Sequence, residues 1–431
     1  MLCGMNTLAQ ELNTQLEGTA ASRLLSRIGR EMFFPRGIVA QTAEANARAS
    51  RHNATVGMAF KGGEPVMLPA IASLAGKLSS RQMVAYAPTP GVPDLRDAWK
   101  EAMIRKNPGL AGIPTSRPLV TSGLTNGLFQ IAELFVDPGD VLIVPELYWG
   151  NYRLMFETRK GARIVTYPLF DGRGAFNTEG LKTALAGQRK SIVLLNFPNN
   201  PTGYSPTTAE ADAIVDALAS HAEAGNDLLV ACDDAYFGLF YEDGLLTESL
   251  FGALALAHDR ILAVKIDGAT KEDFAWGFRV GFVTYAGRGH AREALAALET
   301  KTMGNVRATI SNSSRVAQSV LTAAYSVPEF ENEKAAQRAV LEQRYRRVVE
   351  IVNEAPLTVL RPLPFNSGYF MAFECLGISA EELRLSLLDR GIGTIAIGTQ
   401  YLRVAYSTVD LEDLTELYSE VFEVAESMKR T

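Results

Sequence analysis

The sequence predicts an α/β protein: a three-layer, mostly parallel seven-stranded sheet with helices on both faces, joined to a smaller α/β domain. Three observations carry that expectation. Seven short β-rich apolar runs recur between residues 118 and 285. Helix-like stretches separate several of them, as in strand–helix–strand units. After about residue 310 the chain becomes helix-heavy, with only a few short apolar runs. A chain of 431 residues has room for two or three domains of ordinary size.

Taken in order, residues 7–50 read as helix-rich, interrupted at Pro35-Arg36-Gly37, and residues 57–69 as loop with short extended pieces. The strand candidates are PLVTS at 118–122, VLIVP at 141–145, ARIVTY at 162–167, SIVLLN at 191–196, LLVACD at 228–233, ILAVKID at 261–267 and VGFVTY at 280–285. Runs with no polar alternation are what a sheet covered on both faces requires. Helix-like stretches run from Asn126 to Phe135 and from Glu210 to Ala224. A long helix is expected through Glu331–Val352, short strands near 357–361, 368–373 and 401–405, and an amphipathic helix at 411–428. The expected division is an N-terminal arm with part of the small domain at 1–85, a large domain at 86–310 and the rest of the small domain at 311–431.

Composition narrows the class. Hydrophobic residues are 47% and charged residues 21%, which excludes a disordered chain, a collagen-like fibre or a disulfide miniprotein. The net charge of −6 leaves no electrostatic footprint for nucleic acid or anionic lipid. The cysteines are Cys3, Cys232 and Cys375, an odd number with no C-x-x-C pair, which fits a reducing, cytoplasmic setting. The N-terminal residues lack the charged and apolar regions of a signal peptide, and no apolar run is long enough to span a membrane. His52, His221, His258 and His290 are scattered, which argues against a histidine metal site or triad, and no metal is expected.

In a doubly covered sheet, ligands bind at the carboxyl ends of the strands. After 118–122 comes Gly123-Leu124-Thr125-Asn126-Gly127, either an ordinary helix cap with Thr125 or an anion cradle. After 191–196 comes Asn199-Asn200-Pro201-Thr202-Gly203, either a turn or a device that aims the Asn200 amide. After 228–232 comes Asp233-Asp234-Ala235-Tyr236, either a cap or a buried carboxylate facing a cation. After 261–267 comes Gly268-Ala269-Thr270-Lys271, with Arg279 eight residues on. A desolvated lysine attacks carbonyls, and an arginine grips phosphate as a fork. Each feature is weak alone. An anion cradle, an amide, an aspartate, a tyrosine, a lysine and an arginine, all at strand ends and in that order, make a complete site for pyridoxal phosphate.

N-P-T-G at 200–203, D-x-A-Y at 233–236 and K-x(7)-R at 271–279 together resemble the fold-type I, class I/II pyridoxal-phosphate aminotransferases, collinearly from about residue 57 to 405. The resemblance implies that Lys271 bonds the cofactor, Asp233 pairs with its ring nitrogen, and Asn200 and Tyr236 meet its phenolic oxygen. It implies that Gly123, Leu124, Thr125 and Arg279 hold the phosphate, Trp149 stacks on the ring, and Tyr86 reaches a neighbouring subunit's phosphate in a homodimer. Arg403 in LRVAYS matches the arginine that grips the substrate α-carboxylate. GEPVMLPAI at 63–71 and WGN at 149–151 are similar to the aspartate and aromatic subgroup, with Gly57 as the glycine of a loop over the site. Arg307 in VRATISN matches a partner-subunit arginine that reads a substrate side-chain carboxylate; an ordinary surface arginine is an equal reading. Where the family commonly has Ser, this chain has Gly268, with Thr270 as a substitute phosphate contact and Asp267 unusually near that phosphate. Lys265 is the rival lysine, but it lies within a strand and at the wrong distance from Arg279.

The resemblance implies transfer of an amino group from an L-amino acid, aspartate or aromatic, to a 2-oxo acid such as 2-oxoglutarate, in a ping-pong cycle. Lys271 would act as base and acid at the substrate Cα, and Arg403 would orient the substrate. The alternatives are a lyase or synthase on the same fold, such as a C–S lyase, and a non-enzymatic effector-binding domain. The latter is disfavoured because no helix-turn-helix segment or basic stretch is present.

Overall fold

The computed structural model describes residues 5–35, 37–74 and 76–429. Cys3 and Arg36 lie outside them. The central sheet has seven strands: β1 Leu119–Thr121, β2 Val141–Pro145, β3 Arg163–Tyr167, β4 Lys190–Leu195, β5 Asp227–Asp233, β6 Ile261–Asp267 and β7 Gly281–Ala286. Their order across the sheet is β1-β7-β6-β5-β4-β2-β3, and only β7 runs antiparallel to its neighbours. All seven expected strands are present, with no end shifted by more than one residue. The uniform apolarity has its anticipated cause. Every residue of β2 and β7 is buried, and β5 is buried from Leu228 onward.

Helices cover both faces. α1 is Ile38–Arg48, α2 is Pro93–Lys106 and α3 is Leu124–Phe135. α3 buries Leu124, Leu128, Ile131 and Ala132, and Gly127 lets it approach the sheet; a Cβ there would lie 3.0 Å from Ile266 Cγ2. The helix expected from Glu210 begins at Thr208, because Thr207 and Glu210 form a reciprocal capping box. α4, Arg292–Thr309, packs on α3, β1 and β7.

A second sheet contains β8 Leu360–Pro362, β9 Met371–Cys375, β10 Ile395–Ile397 and β11 Tyr401–Val404, antiparallel in the order β8-β9-β11-β10. The long helix α5, Phe330–Glu354, packs on the C-terminal helix α6, Leu414–Met428. His52–Asn53 pairs in parallel with Ile392–Gly393, so the N-terminal segment joins the C-terminal part of the chain. β10 and the helix Ala380–Asp389 fall between the strands anticipated from sequence. Among the described residues, no helix is long and apolar enough to cross a membrane.

Candidate active site

The carboxyl ends of β1, β4, β5 and β6 converge on two adjoining cavities of about 330 Å³ and 230 Å³. Trp149, Asn200, Tyr236, Lys271 and Arg279 line both. Leu124, Thr125 and Asp233 line the second, and Gly57, Thr270 and Arg403 the first. Residues separated by hundreds of positions thus meet where strand-end logic places them.

Asp233 ends β5 and is 3% exposed. Its Oδ2 accepts a hydrogen bond from Tyr152 Oη at 2.5 Å, while Oδ1 is buried with no partner. Burial pushes the carboxyl up to about 6, although the Tyr152 hydrogen bond and the Lys271 charge pull it down. Lys271 stands on the four-residue helix Ala269–Glu272, its Nζ 4.6 Å from the centre of the Tyr236 ring. Desolvation lowers this amine to about 8, against the opposing pull of Asp233. An amine free to that degree near neutral pH is primed as a nucleophile and base.

Asn200 is positioned by its predecessor at the end of β4: Asn196 Oδ1 accepts from Asn200 N at 2.8 Å, and Asn196 Nδ2 donates to Asp233 O at 2.8 Å. Asn200 Oδ1 accepts from Arg403 Nη1 at 2.9 Å. Arg403, on β11 of the second sheet, also donates from Nη2 to Thr55 O at 2.7 Å and lies 4.2 Å from the centre of the Phe370 ring. It is 2% exposed, its Nε has no partner, and it makes no ion pair with any described residue. Burial lowers its guanidinium to about 10.

The phosphate end is built around Gly123, whose φ of 75° favours glycine. A Cβ there would lie 2.4 Å from Arg279 Nη2, so a larger residue would push that guanidinium from its place. Gly123, rather than Thr125, is the N-cap of α3, and no side chain caps this end. The helix N-terminus and Arg279 therefore face a common point, a favourable setting for an anion. Arg279 holds a left-handed φ of 52°, a strained conformation for a non-glycine residue. Thr270 Oγ1 is buried and unpartnered beside it.

Two residues named from sequence are not brought to this chain's cavities. Tyr86 is 91% exposed, and Arg307 lies exposed on α4. Asp267 departs from its expected place near the phosphate. Its side chain takes a hydrogen bond from Trp99 Nε1 at 3.0 Å and pairs with Lys265 at 3.4 Å. Lys265 in turn is bound to Asp234, and neither it nor Asp267 lines either cavity. The site also contains residues that sequence reasoning missed: Tyr152, Asn196, Trp276, Phe370, Thr55 and the Ile38, Val39 and Thr42 face of α1. Asn196 carried a signal, being a polar residue at the end of an apolar strand. Tyr152 carried none; it precedes a π-helical turn, Arg153–Thr158, that sequence periodicity does not reveal.

Residues 58–421 match the family of class I and II aminotransferases. The chain belongs to that family. Aspartate/prephenate aminotransferase of Thermus thermophilus is 26% identical over 337 residues, covering 75% of this chain and 79% of the relative. Arginine–pyruvate transaminase of Pseudomonas aeruginosa is 27% identical over 314 residues, covering 72% and 73%. The crystal structure of an aminotransferase from Anaerococcus prevotii superposes with a TM-score of 0.81 at 24% identity, covering 92% of this chain and 97% of that one, and so shares the fold.

The aminotransferase is pyridoxal-phosphate dependent, as the members of its family are. Its residues fit that cofactor. The orphaned Oδ1 of Asp233 awaits a cationic donor, and the uncapped helix with Arg279 awaits a dianion. Lys271 lines the same cavity as Asp233 and Arg279. When bound, the cofactor supplies an electron sink for bond breaking at the substrate Cα. Family membership selects amino-group transfer from the reactions that the residues alone left open.

Proposed function

We propose that this aminotransferase takes the amino group of aspartate or an aromatic L-amino acid and passes it to a 2-oxo acid, 2-oxoglutarate foremost, in a ping-pong cycle. The observation that carries the reading is the ion balance of the outer cavity. Among the described residues its lining holds Lys271, Arg279 and Arg403 but no carboxylate, and its walls include Ile38, Val39, Met58, Trp149, Trp276 and Phe370. Arg403 is a buried cation without a counter-ion among the described residues, which suits a substrate carboxylate gripped as a fork. Apolar and aromatic walls suit an aromatic side chain. A basic side chain would find no acid among the described residues of that lining.

In this reading Arg403 and Asn200 orient the amino acid, and Lys271 Nζ takes the Cα proton and returns it during transfer. Asp233, held by Tyr152, would keep a positive charge on the cofactor's ring nitrogen. Thr270 with Arg279, Gly123, Leu124 and Thr125 would hold its phosphate, and Trp149 and Tyr236 would hold its ring and phenolic oxygen. Gly57 lies over the site; a Cβ there would meet Tyr236 Oη at 3.2 Å and Phe370 Cζ at 3.3 Å. The exposure of Tyr86 and Arg307 supports a homodimer in which each serves the partner's site. We place the protein in the cytoplasm on its cysteine usage.

A panel of amino acids with 2-oxoglutarate tests the substrate reading. Glutamate formation should be fastest with aspartate or aromatic donors; arginine as the best donor would overturn it. Arg307→Ala should weaken acidic donors more than aromatic ones, and an equal loss on both would remove its role.

A further inference from the structure

Lys271 stands on a helix of four residues, too short to fix itself. Two non-glycine residues just beyond it, Phe274 and Arg279, each have a φ of 52°. Such strain persists only where the surroundings over-determine the backbone. The structure shows what does so. Glu272 is bound to Lys106 of α2, and Asp273, buried to 1% exposure, lies 2.7 Å from Lys334 Nζ. Asp273 Oδ2 also accepts from Tyr325 Oη at 2.7 Å. Lys334, in the first turns of α5, lies 4.0 Å from Glu272 and 3.5 Å from Glu331 as well. Lys106 covers the Trp99 ring at 4.6 Å, and Trp99 leads to Asp267, Lys265 and Asp234.

Of these charged groups only Lys271 and Arg279 line the cavities of the active site. The others grip the residues directly after Lys271 from outside it. The grip also crosses the molecule, because α5 packs on α6 beside the second sheet whereas Glu272 and Asp273 follow the central one.

We propose that Lys334 is a positioning residue for the transfer reaction: through Asp273 and Glu272 it holds the backbone that aims Lys271 Nζ. It touches neither cofactor nor substrate. The negative cluster keeps Lys334 charged, raising its amine above the ordinary value against the effect of burial. The inference rests on Lys271 being the cofactor-bonding lysine. An ångström of misplacement at a reacting group lowers rates by up to about a hundredfold.

The test compares Lys334→Met, Lys334→Arg, Asp273→Asn and the pair Lys334→Met/Asp273→Asn, with Lys271→Ala as control. Lys334→Met leaves a buried carboxylate uncompensated, and the double variant removes that defect. The readouts are melting temperature, kcat and KM for the amino donor, and the rate at which cofactor-free protein develops its absorbance band with pyridoxal phosphate. The double variant should melt near wild type, yet keep kcat and band formation about tenfold or more below wild type, with KM within twofold. Lys334→Arg should restore most of the loss. A double variant with wild-type kcat and band formation would overturn the proposal, as would Lys334→Met that folds and reacts normally. Persistence of the band in Lys271→Ala would instead sink the lysine assignment on which it rests.

Discussion

Asp233→Asn in the cofactor-free aminotransferase should stabilise the fold at pH 8. Burial raises the Asp233 carboxyl from 3.8 to about 6, so in the native state the charged form is disfavoured. At about 1.4 kcal/mol per pH unit of difference, an ionised Asp233 costs the fold about 3 kcal/mol. The sign follows from where the protons are. Above pH 6 the carboxylate is charged in both native and unfolded chains, and the full cost is present. As pH falls through 6 the native group takes a proton first and the cost shrinks. Below 3.8 both states are protonated and it vanishes. Asparagine has the same shape and still accepts from Tyr152, so the substitution removes little but the charge. Urea unfolding of both proteins between pH 4 and 8 measures the difference. The variant should gain about 3 kcal/mol at pH 8, declining towards zero at pH 4. A variant that is less stable at pH 8, or whose advantage ignores pH, would refute the reasoning. A gain would mean that the site holds an unfavourable charge in reserve for a cation, a trade of stability for function.

Three further outcomes follow from the geometry. Tyr152→Phe removes a hydrogen bond that lowers Asp233, so the carboxyl should titrate above its wild-type midpoint when followed by NMR; an unchanged midpoint would deny the contact its role. Arg403→Lys loses the fork and should raise KM for the amino donor about 10–100-fold, the equivalent of a charge-assisted hydrogen bond of about 1.5–3 kcal/mol, whereas a change below threefold would contradict it. Gly123→Ala places a Cβ against Arg279 Nη2, and equilibrium dialysis should show pyridoxal phosphate held at least tenfold more weakly; wild-type retention would mean that the cradle lies elsewhere.

The central sheet was legible because its strands, apart from the partly exposed edge strand β3, are buried on both faces and so carry no polar alternation. Its ends were legible because Asn200, Asp233, Lys271 and Arg279 interrupt that apolarity at turns. Short β10, three residues long, leaves too few positions for a pattern. Tyr152 precedes a π-helical turn, and Arg403 meets Asn200 and Thr55 only through the folding of one sheet beside the other. Those contacts depend on tertiary geometry, which local periodicity does not encode. Asp267 was misplaced for a related reason. Alternation along β6 puts it with Lys265 on the face toward Trp99, whereas proximity in sequence to Lys271 suggested the phosphate.

The central claim is that Lys271 is the amine that bonds the cofactor. Reaction of cofactor-free protein with pyridoxal phosphate across pH 6–11, followed by borohydride reduction and peptide mapping, tests it directly. Label is expected on Lys271, with a reactivity midpoint near 8 because desolvation frees the amine. Label on Lys265, or a midpoint near the ordinary lysine value of 10.5, would contradict it.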